Sequence, residues 1–289
     1  MHEFSYEAPS TLAEAVRLLA AANGGARVLC GGTDLLIQMR AGVRQPSCLV
    51  DVKGIPELRQ ISFDHKTGLR LGAAVSCVEI FESAAMRRHY PGLTEAAHLI
   101  GSTQIQSRAS VGGNLCNGSP AADSVPALIA LGAVAHLVGP KGERDVPVED
   151  FVTGPGQTVV QPGEILVDVR IAPPRPHSSD CYLRLIPRNE MDIAVVGVGA
   201  AVTLDADRCV AARIALGAVG PTQIVARKAG DSLIGKALNA DAIESAAHLA
   251  IEASKPIDDM RGTAEYRRHV VGVLTRRALE GAAERARGN

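Results

Sequence analysis

Two short glycine-paired segments constrain this chain more than any other feature. The longer is Ser110-Val111-Gly112-Gly113-Asn114, continued by Ser119-Pro120-Ala121-Ala122-Asp123. A β-branched residue leads into two glycines. An amide, small and polar residues and a proline follow, and then an acid that opens an apolar helical run. Adjacent glycines admit backbone conformations closed to other residues and let the chain approach a ligand with no Cβ between. Successive N–H groups in such a turn form an anion-binding concavity. The same form stands upstream at Cys30-Gly31-Gly32-Thr33-Asp34, after a strand-like Val28-Leu29. Two segments of one form point to two clamps on one anionic ligand, a diphosphate. Each is also satisfied by an ordinary turn, and the residues alone leave both readings open.

The 289 residues are enough for about two domains with an ample core. Trp is absent and Phe and Tyr are few, so that core must be Ala, Val, Leu and Ile. A formal net charge of -1 gives no electrostatic reason for nucleic acid or an anionic membrane as partner. The pairs Arg267-Arg268 and Arg276-Arg277 read as the solvated face of a helix. No stretch approaches the roughly 18 apolar residues of a membrane span. The N-terminal residues lack a basic region, an apolar run and a cleavage site, so the cytoplasm is the expected location. The cysteines Cys30, Cys48, Cys77, Cys116, Cys181 and Cys209 are dispersed, without a Cys-x-x-Cys pair. They read as reduced thiols rather than ligands of zinc or an iron–sulfur cluster. The histidines form no His-x-x-x-His pair, so no metal site is expected.

Capping boxes place helices after Thr11 (with Glu14) and Ser76 (with Glu79), and apolar spacing places another over Pro91 to Ser102. Strands are expected at Ala26 to Leu29, Ser47 to Val52, Leu69 to Val75, Ala133 to Val138 and Ile165 to Ile171. A helix over Leu35 to Arg40 would set its N-terminus, with free N–H groups, behind the first glycine pair. Ala172-Pro173-Pro174-Arg175-Pro176-His177-Ser178-Ser179 is the strongest linker signal, and it places a boundary between a domain over 1–175 and one over 176–289. Beyond it, strands at Tyr182 to Ile186, Ile193 to Leu204 and Val210 to Leu216 precede helices at Ile224 to Ile234, Ala242 to Ala253 and Ala264 to Arg285. Strands first and helices after predict an α+β domain, with helices on one face of an antiparallel sheet.

Gly197-Val198-Gly199-Ala200-Ala201-Val202 imitates a dinucleotide fingerprint, but its third glycine position holds Val202 and no helix follows, so it reads as a strand. No nucleoside-triphosphate loop and no Gly-x-Ser-x-Gly elbow occurs. Asp123 has two readings, a helix N-cap for Val125 to Leu131 and a carboxylate that accepts from a ligand's hydroxyls. Arg184, on the polar phase of a strand, is either solvated or a cation directed at a ligand. Glu149-Asp150 reads as a loop pair with no assignable acid–base partner.

These residues in this order resemble a family, the flavin-binding medium subunits of molybdenum hydroxylases. Its members include xanthine dehydrogenase, carbon monoxide dehydrogenase and 4-hydroxybenzoyl-CoA reductase β. Cys30-Gly31-Gly32-Thr33-Asp34-Leu35-Leu36 resembles the family's first FAD loop. Ser110-Val111-Gly112-Gly113-Asn114-Leu115 with Ser119-Pro120-Ala121-Ala122-Asp123 resembles the second. Asp192-Ile193-Ala194 after Arg188, Gly217-Ala218-Val219-Gly220-Pro221-Thr222 and Ala264-Glu265-Tyr266-Arg267-Arg268 also match. The resemblance spans essentially the whole chain.

It implies a two-lobed FAD-binding fold of the vanillyl-alcohol-oxidase type, then a small α+β C-terminal domain of the CO dehydrogenase flavoprotein type. FAD would lie between the lobes. The backbone of Val28, Leu29, Cys30, Gly31, Gly32, Thr33, Asp34 and Leu35, and that of Ser110, Val111, Gly112, Gly113 and Asn114, would hold its diphosphate. Asp123 would take the place of an acid facing the ribityl or ribose hydroxyls. Ile100 would touch flavin or adenine, and Leu166 or Val167 would give strand backbone contact near the ring. Arg184 falls where relatives often carry Lys near the isoalloxazine, a cation of different shape. No side chain need act as a catalytic acid or base. The resemblance further implies a large molybdopterin subunit and a small subunit with [2Fe-2S] clusters as partners, in a dimer of heterotrimers that hands electrons to an external acceptor. A free-standing flavoprotein dehydrogenase or oxidase and a flavin-free scaffold subunit are the alternatives. The absence of a substrate domain counts against the first, and the intact glycines count against the second.

Overall fold

The computed structural model describes residues 3–289. The first lobe comprises β1 (Ser5–Glu7), α1 (Leu12–Ala21), β2 (Ala26–Leu29), α2 (Leu35–Arg40) and β3 (Cys48–Asp51). Its three strands are parallel, in the order β1-β3-β2. Parallel neighbours need a crossover, and α2 supplies it between β2 and β3. Thr11 Oγ1 accepts from the Glu14 amide at 3.3 Å and caps α1.

The second lobe opens with β4 (Ile61–Asp64) and β5 (Gly68–Gly72). Six helices follow: α3 (Cys77–Glu82), α4 (Ala84–His89), α5 (Pro91–Leu99), α6 (Thr103–Gln106), α7 (Val111–Cys116) and α8 (Ser124–Ala130). The lobe ends with β6 (Val134–Gly139), β7 (Gly142–Pro147), β8 (Val152–Gly154), β9 (Gln157–Thr158) and β10 (Ile165–Ile171). Five of these strands make an antiparallel sheet in the order β4-β5-β10-β6-β7. The inner strands β5, β6 and β10 stand where the sequence expects strands. The edge strands β4 and β7, half-exposed and charged, escaped that reading because their apolar alternation is diluted. The capping box of α3 is complete, with Ser76 and Glu79 each accepting from the other's backbone N–H. The expected Pro91–Ser102 helix ends at Leu99.

The third unit holds β11 (Ser178–Leu185), β12 (Val196–Asp205), β13 (Arg208–Gly217) and β14 (Ile224–Val225), then α9 (Arg227–Asp231), α10 (Ala240–Ala253) and α11 (Ala264–Gly288). Its sheet is antiparallel and in sequence order. The expected helix over 224–234 shrinks to α9, because Ile224 and Val225 pair with Leu216 and Ala215. The α10 and α11 helices cover one face of the sheet, as expected of an α+β unit. The second lobe covers the other face. A Cβ on Gly199 would lie 2.4 Å from the Pro126 carbonyl oxygen, so that glycine lets α8 press directly onto β12. Tyr182 and Ala215 are part of the second lobe's own core.

Polar groups finish this junction. Asp180 Oδ2 accepts from the Leu93 amide at 3.1 Å, at the start of α5, while Oδ1 has no hydrogen-bond partner among the described residues. Arg285 donates to the Asp180 carbonyl at 2.8 Å and pairs with Glu95. Glu95 in turn accepts from the Tyr182 amide at 3.0 Å. Burial pushes the Asp180 carboxyl up to about 7, against the Gly92 and Leu93 amides that pull it down.

Candidate functional site

Both glycine segments line one cleft of about 690 Å³ where the first and second lobes meet. They touch each other there. A Cβ on Gly31 would lie 2.0 Å from the Arg108 carbonyl oxygen, so only glycine permits this approach. Cys30 Sγ and Ser110 Oγ form a hydrogen-bonded pair at 3.2 Å across 80 residues of chain. Gln38 Nε2 donates to Asn117 Oδ1 at 2.9 Å, tying α2 to the end of α7. The two segments are thus neighbours along one wall of the cleft.

In the first segment Gly32 has φ +74°, the left-handed conformation that favours glycine. The amides of Gly32, Thr33, Asp34 and Leu35 find no acceptor among the described residues as the chain enters α2. Asp34 is the N-cap residue but its side chain makes no capping bond, and burial alone pushes its carboxyl up.

The second segment corrects the sequence reading. Ser110-Val111-Gly112-Gly113-Asn114 is no turn. Ser110 caps α7, accepting from the Gly113 amide at 3.0 Å, and both glycines lie in the first helical turn without positive φ. Gly112 is required by packing, since its Cβ would lie 2.5 Å from the Ala73 carbonyl oxygen. Gly113 is different. A Cβ there meets only Ser110 Oγ, at 3.1 Å. Asn114 Oδ1 accepts from the Ser124 hydroxyl at 2.7 Å and amide at 3.3 Å, which fixes α8 to α7.

The cleft gathers Val28, Cys30, Gly31, Gly32, Thr33, Asp34, Leu35, Ile100, Ser110, Gly112, Gly113, Asn114 and Leu166. Leu29, Val111, Asp123, Val167 and Arg184 do not line it. The Val167 side chain is buried in the first lobe's core and its carbonyl accepts from the Ala73 amide. The Leu29 carbonyl accepts from Val52. Arg27, Arg44, Gln38, Cys116 and the arm from Gly156 to Glu164 line the cleft without having been singled out in the sequence. No local motif marks them; the folding of the second lobe against the first brings them there.

Asp123 and Arg184 form a separate, buried site at the junction with the third unit. Asp123 starts α8 as expected, but its carboxylate makes no cap. It accepts from Arg184 Nη1 at 2.6 Å and from the Tyr182 hydroxyl at 2.8 Å. The Arg184 side chain is only 5% exposed, which overturns the solvated reading, and its Nε has no hydrogen-bond partner among the described residues. Burial pushes the Asp123 carboxyl up, and the pull of Arg184 and Tyr182 only partly cancels this. Glu149 also has partners the sequence could not supply. It pairs with Arg213 at 2.5 Å and Arg227 at 2.7 Å.

A two-lobed cleft with paired glycine segments on one wall, followed by an α+β unit, defines a class of protein that binds an extended nucleotide cofactor. The family described as the FAD binding domain in molybdopterin dehydrogenase matches residues 2–175, and the CO dehydrogenase flavoprotein C-terminal domain matches residues 181–282. The chain belongs to this family of molybdopterin dehydrogenase flavoproteins. It is 33% identical over 285 residues to a putative xanthine dehydrogenase FAD-binding subunit of Escherichia coli, covering 98% of this chain and 97% of that one. It is 35% identical to the carbon monoxide dehydrogenase medium chain of Afipia carboxidovorans, covering 98% of each. The solved Cu,Mo-CO dehydrogenase superposes with a TM-score of 0.94 at 34% identity, covering 98% of both chains. Quinoline 2-oxidoreductase of Pseudomonas putida 86 gives a TM-score of 0.90 at 32% identity, again over 98% of both.

Proposed function

We propose that this chain is the FAD-bearing subunit of a multisubunit molybdenum hydroxylase, passing electrons from a partner's iron–sulfur clusters to an external acceptor. The observation that carries the reading is the convergence of two glycine segments, 80 residues apart, on one cleft. Its volume of about 690 Å³ falls within the roughly 300–1,000 Å³ of sites that enclose a cofactor-sized ligand. The donor set fits a diphosphate, because successive backbone amides from Gly32 to Leu35 have no acceptor among the described residues. Gly113 fits as well, since it lines the cleft and a Cβ there would meet no protein backbone, only the Ser110 hydroxyl at 3.1 Å.

When bound, FAD supplies the exchange of one or two electrons. The residues of this chain bind and orient it. Val28, Cys30 to Leu35, Ser110, Gly112, Gly113 and Asn114 line the cleft and hold the diphosphate by backbone, while Ile100 touches flavin or adenine and Leu166 gives strand backbone contact near the ring. Asp123 and Arg184 do not line this cleft, and their ion pair joins the second lobe to the third unit. Residues 1–175 form the FAD-binding domain and 176–289 the C-terminal domain. A large molybdopterin subunit and a small [2Fe-2S] subunit complete a cytoplasmic dimer of heterotrimers. The relatives' descriptions as medium chains and FAD-binding subunits support this assembly.

The test is to purify the tagged chain from its native host and from an isolated expression. Yellow protein with about one FAD per chain, and partners carrying molybdenum and iron–sulfur, is the expected outcome. Colourless protein that takes up no FAD on reconstitution overturns the reading. A fully active single chain would replace it with a free-standing flavoprotein.

A further inference from the structure

We infer that Tyr6, Asp51 and Lys53 act together to position the first glycine segment for its ligand. The inference rests on the FAD reading above. Lys53 Nζ donates to the Cys30 carbonyl at 3.2 Å and to Asp51 Oδ2 at 2.7 Å. The Tyr6 hydroxyl donates to the same Oδ2 at 2.6 Å, and the Lys53 amide donates to Asp51 Oδ1 at 3.0 Å. The chain of contacts therefore crosses the whole first sheet. It starts on β1, passes the end of β3, and ends on the residue that follows β2.

The Cys30 carbonyl is a telling anchor. It shares one rigid peptide plane with the Gly31 amide, and in a trans peptide the two groups point in opposite directions. Holding the carbonyl toward Lys53 turns the Gly31 amide to the other side. It also sets the plane from which the free amides of Gly32 to Leu35 continue. Glycine loses more conformational freedom on fixing than any other residue, so a segment with Gly31 and Gly32 needs an external anchor to keep one shape.

Lys53 acts here by geometry rather than by net charge, because Asp51 neutralises it at 2.7 Å. Burial alone would raise the Asp51 carboxyl, but Lys53, Tyr6 and the Lys53 amide hold it below the ordinary carboxylate range. Asp51 thus stays ionised near neutral pH and keeps both donors in register.

Equilibrium FAD binding to the flavin-stripped full chain, followed by fluorescence, tests the idea together with the melting temperature of the stripped chain. Lys53→Met and Asp51→Asn are each expected to weaken FAD binding by about 10–100-fold, the usual scale for groups that orient a binding shell. Lys53→Arg restores binding to within a few-fold of wild type, and Tyr6→Phe, which removes one surface hydroxyl, costs a few-fold while leaving the chain folded. Two results overturn the triad. One is Lys53→Met with wild-type affinity. The other is Asp51→Asn that tightens FAD binding, which would make Lys53 a direct ligand of the anion. A wild-type chain that binds no FAD would sink the FAD reading itself.

Discussion

The two glycine segments use the same residue pair for different ends. In each, the first glycine is imposed by the protein. Gly31 lies against the Arg108 carbonyl and Gly112 against Ala73. The second glycines diverge. Gly32 is needed for a left-handed backbone at φ +74°, whereas Gly113 has a helical backbone and a Cβ there would meet only the Ser110 hydroxyl, at 3.1 Å. The first segment is a bent strand-to-helix passage held by a distant lysine. The second is a helix start held by its own serine cap. A Gly-Gly pair is therefore one signal with at least three physical causes, namely close packing, backbone conformation and ligand clearance.

Substitutions separate these causes. Gly31→Ala should have the largest effect, because its Cβ would lie 2.0 Å from a backbone oxygen that no rotamer change can move. We expect a loss of more than about 4 kcal/mol, seen as failure to recover soluble protein. Gly112→Ala meets backbone and Cβ of Ala73 at 2.5–2.6 Å and should cost about 1–3 kcal/mol in denaturant unfolding. Ser110→Ala removes the α7 cap and should cost about 1 kcal/mol, with weaker FAD retention as the helix start frays. Gly113→Val places a Cβ 3.1 Å from the Ser110 hydroxyl that caps α7, so it should cost the flavin-free chain no more than about 1 kcal/mol, the scale of losing that cap. The same variant should lose FAD. If it unfolds as readily as Gly112→Ala, or keeps normal flavin content, the division between packing and ligand clearance fails.

What the sequence could reveal follows the range of the interactions. The glycine segments were legible because their constraint is local, and the capping box at Ser76–Glu79 was legible for the same reason. The helical nature of Ser110–Asn114 was not, since two glycines in a first turn contradict helix propensity and only the Ser110 cap and the contact with Ala73 make them acceptable. Asp123 was placed correctly at the start of α8, but its carboxylate belongs to Tyr182 and Arg184, 59 and 61 residues on. No local rule reports such a pairing. The same holds for β14, which is decided by its partner β13, and for Lys53, whose reach to Cys30 depends on the order of strands in a parallel sheet.

Asp180 gives the contact between the second lobe and the third unit a proton balance. Its carboxyl titrates near 7 in the folded chain, against 3.8 for an ordinary aspartate, so folding between those pH values takes a proton from solvent. The stabilisation is complete below about pH 4 and is lost as pH rises through 7. Glu95 adds to the upward shift, while Arg285 and the Gly92 and Leu93 amides oppose it. Asp180→Asn should flatten the fall in melting temperature between pH 5 and pH 7 and leave its slope above that unchanged, where the carboxyl is already ionised. Alkalinity would then loosen the two units from one another before it disturbs the cleft, because the carboxylate that ionises lies at their junction and not among the residues that line the cleft.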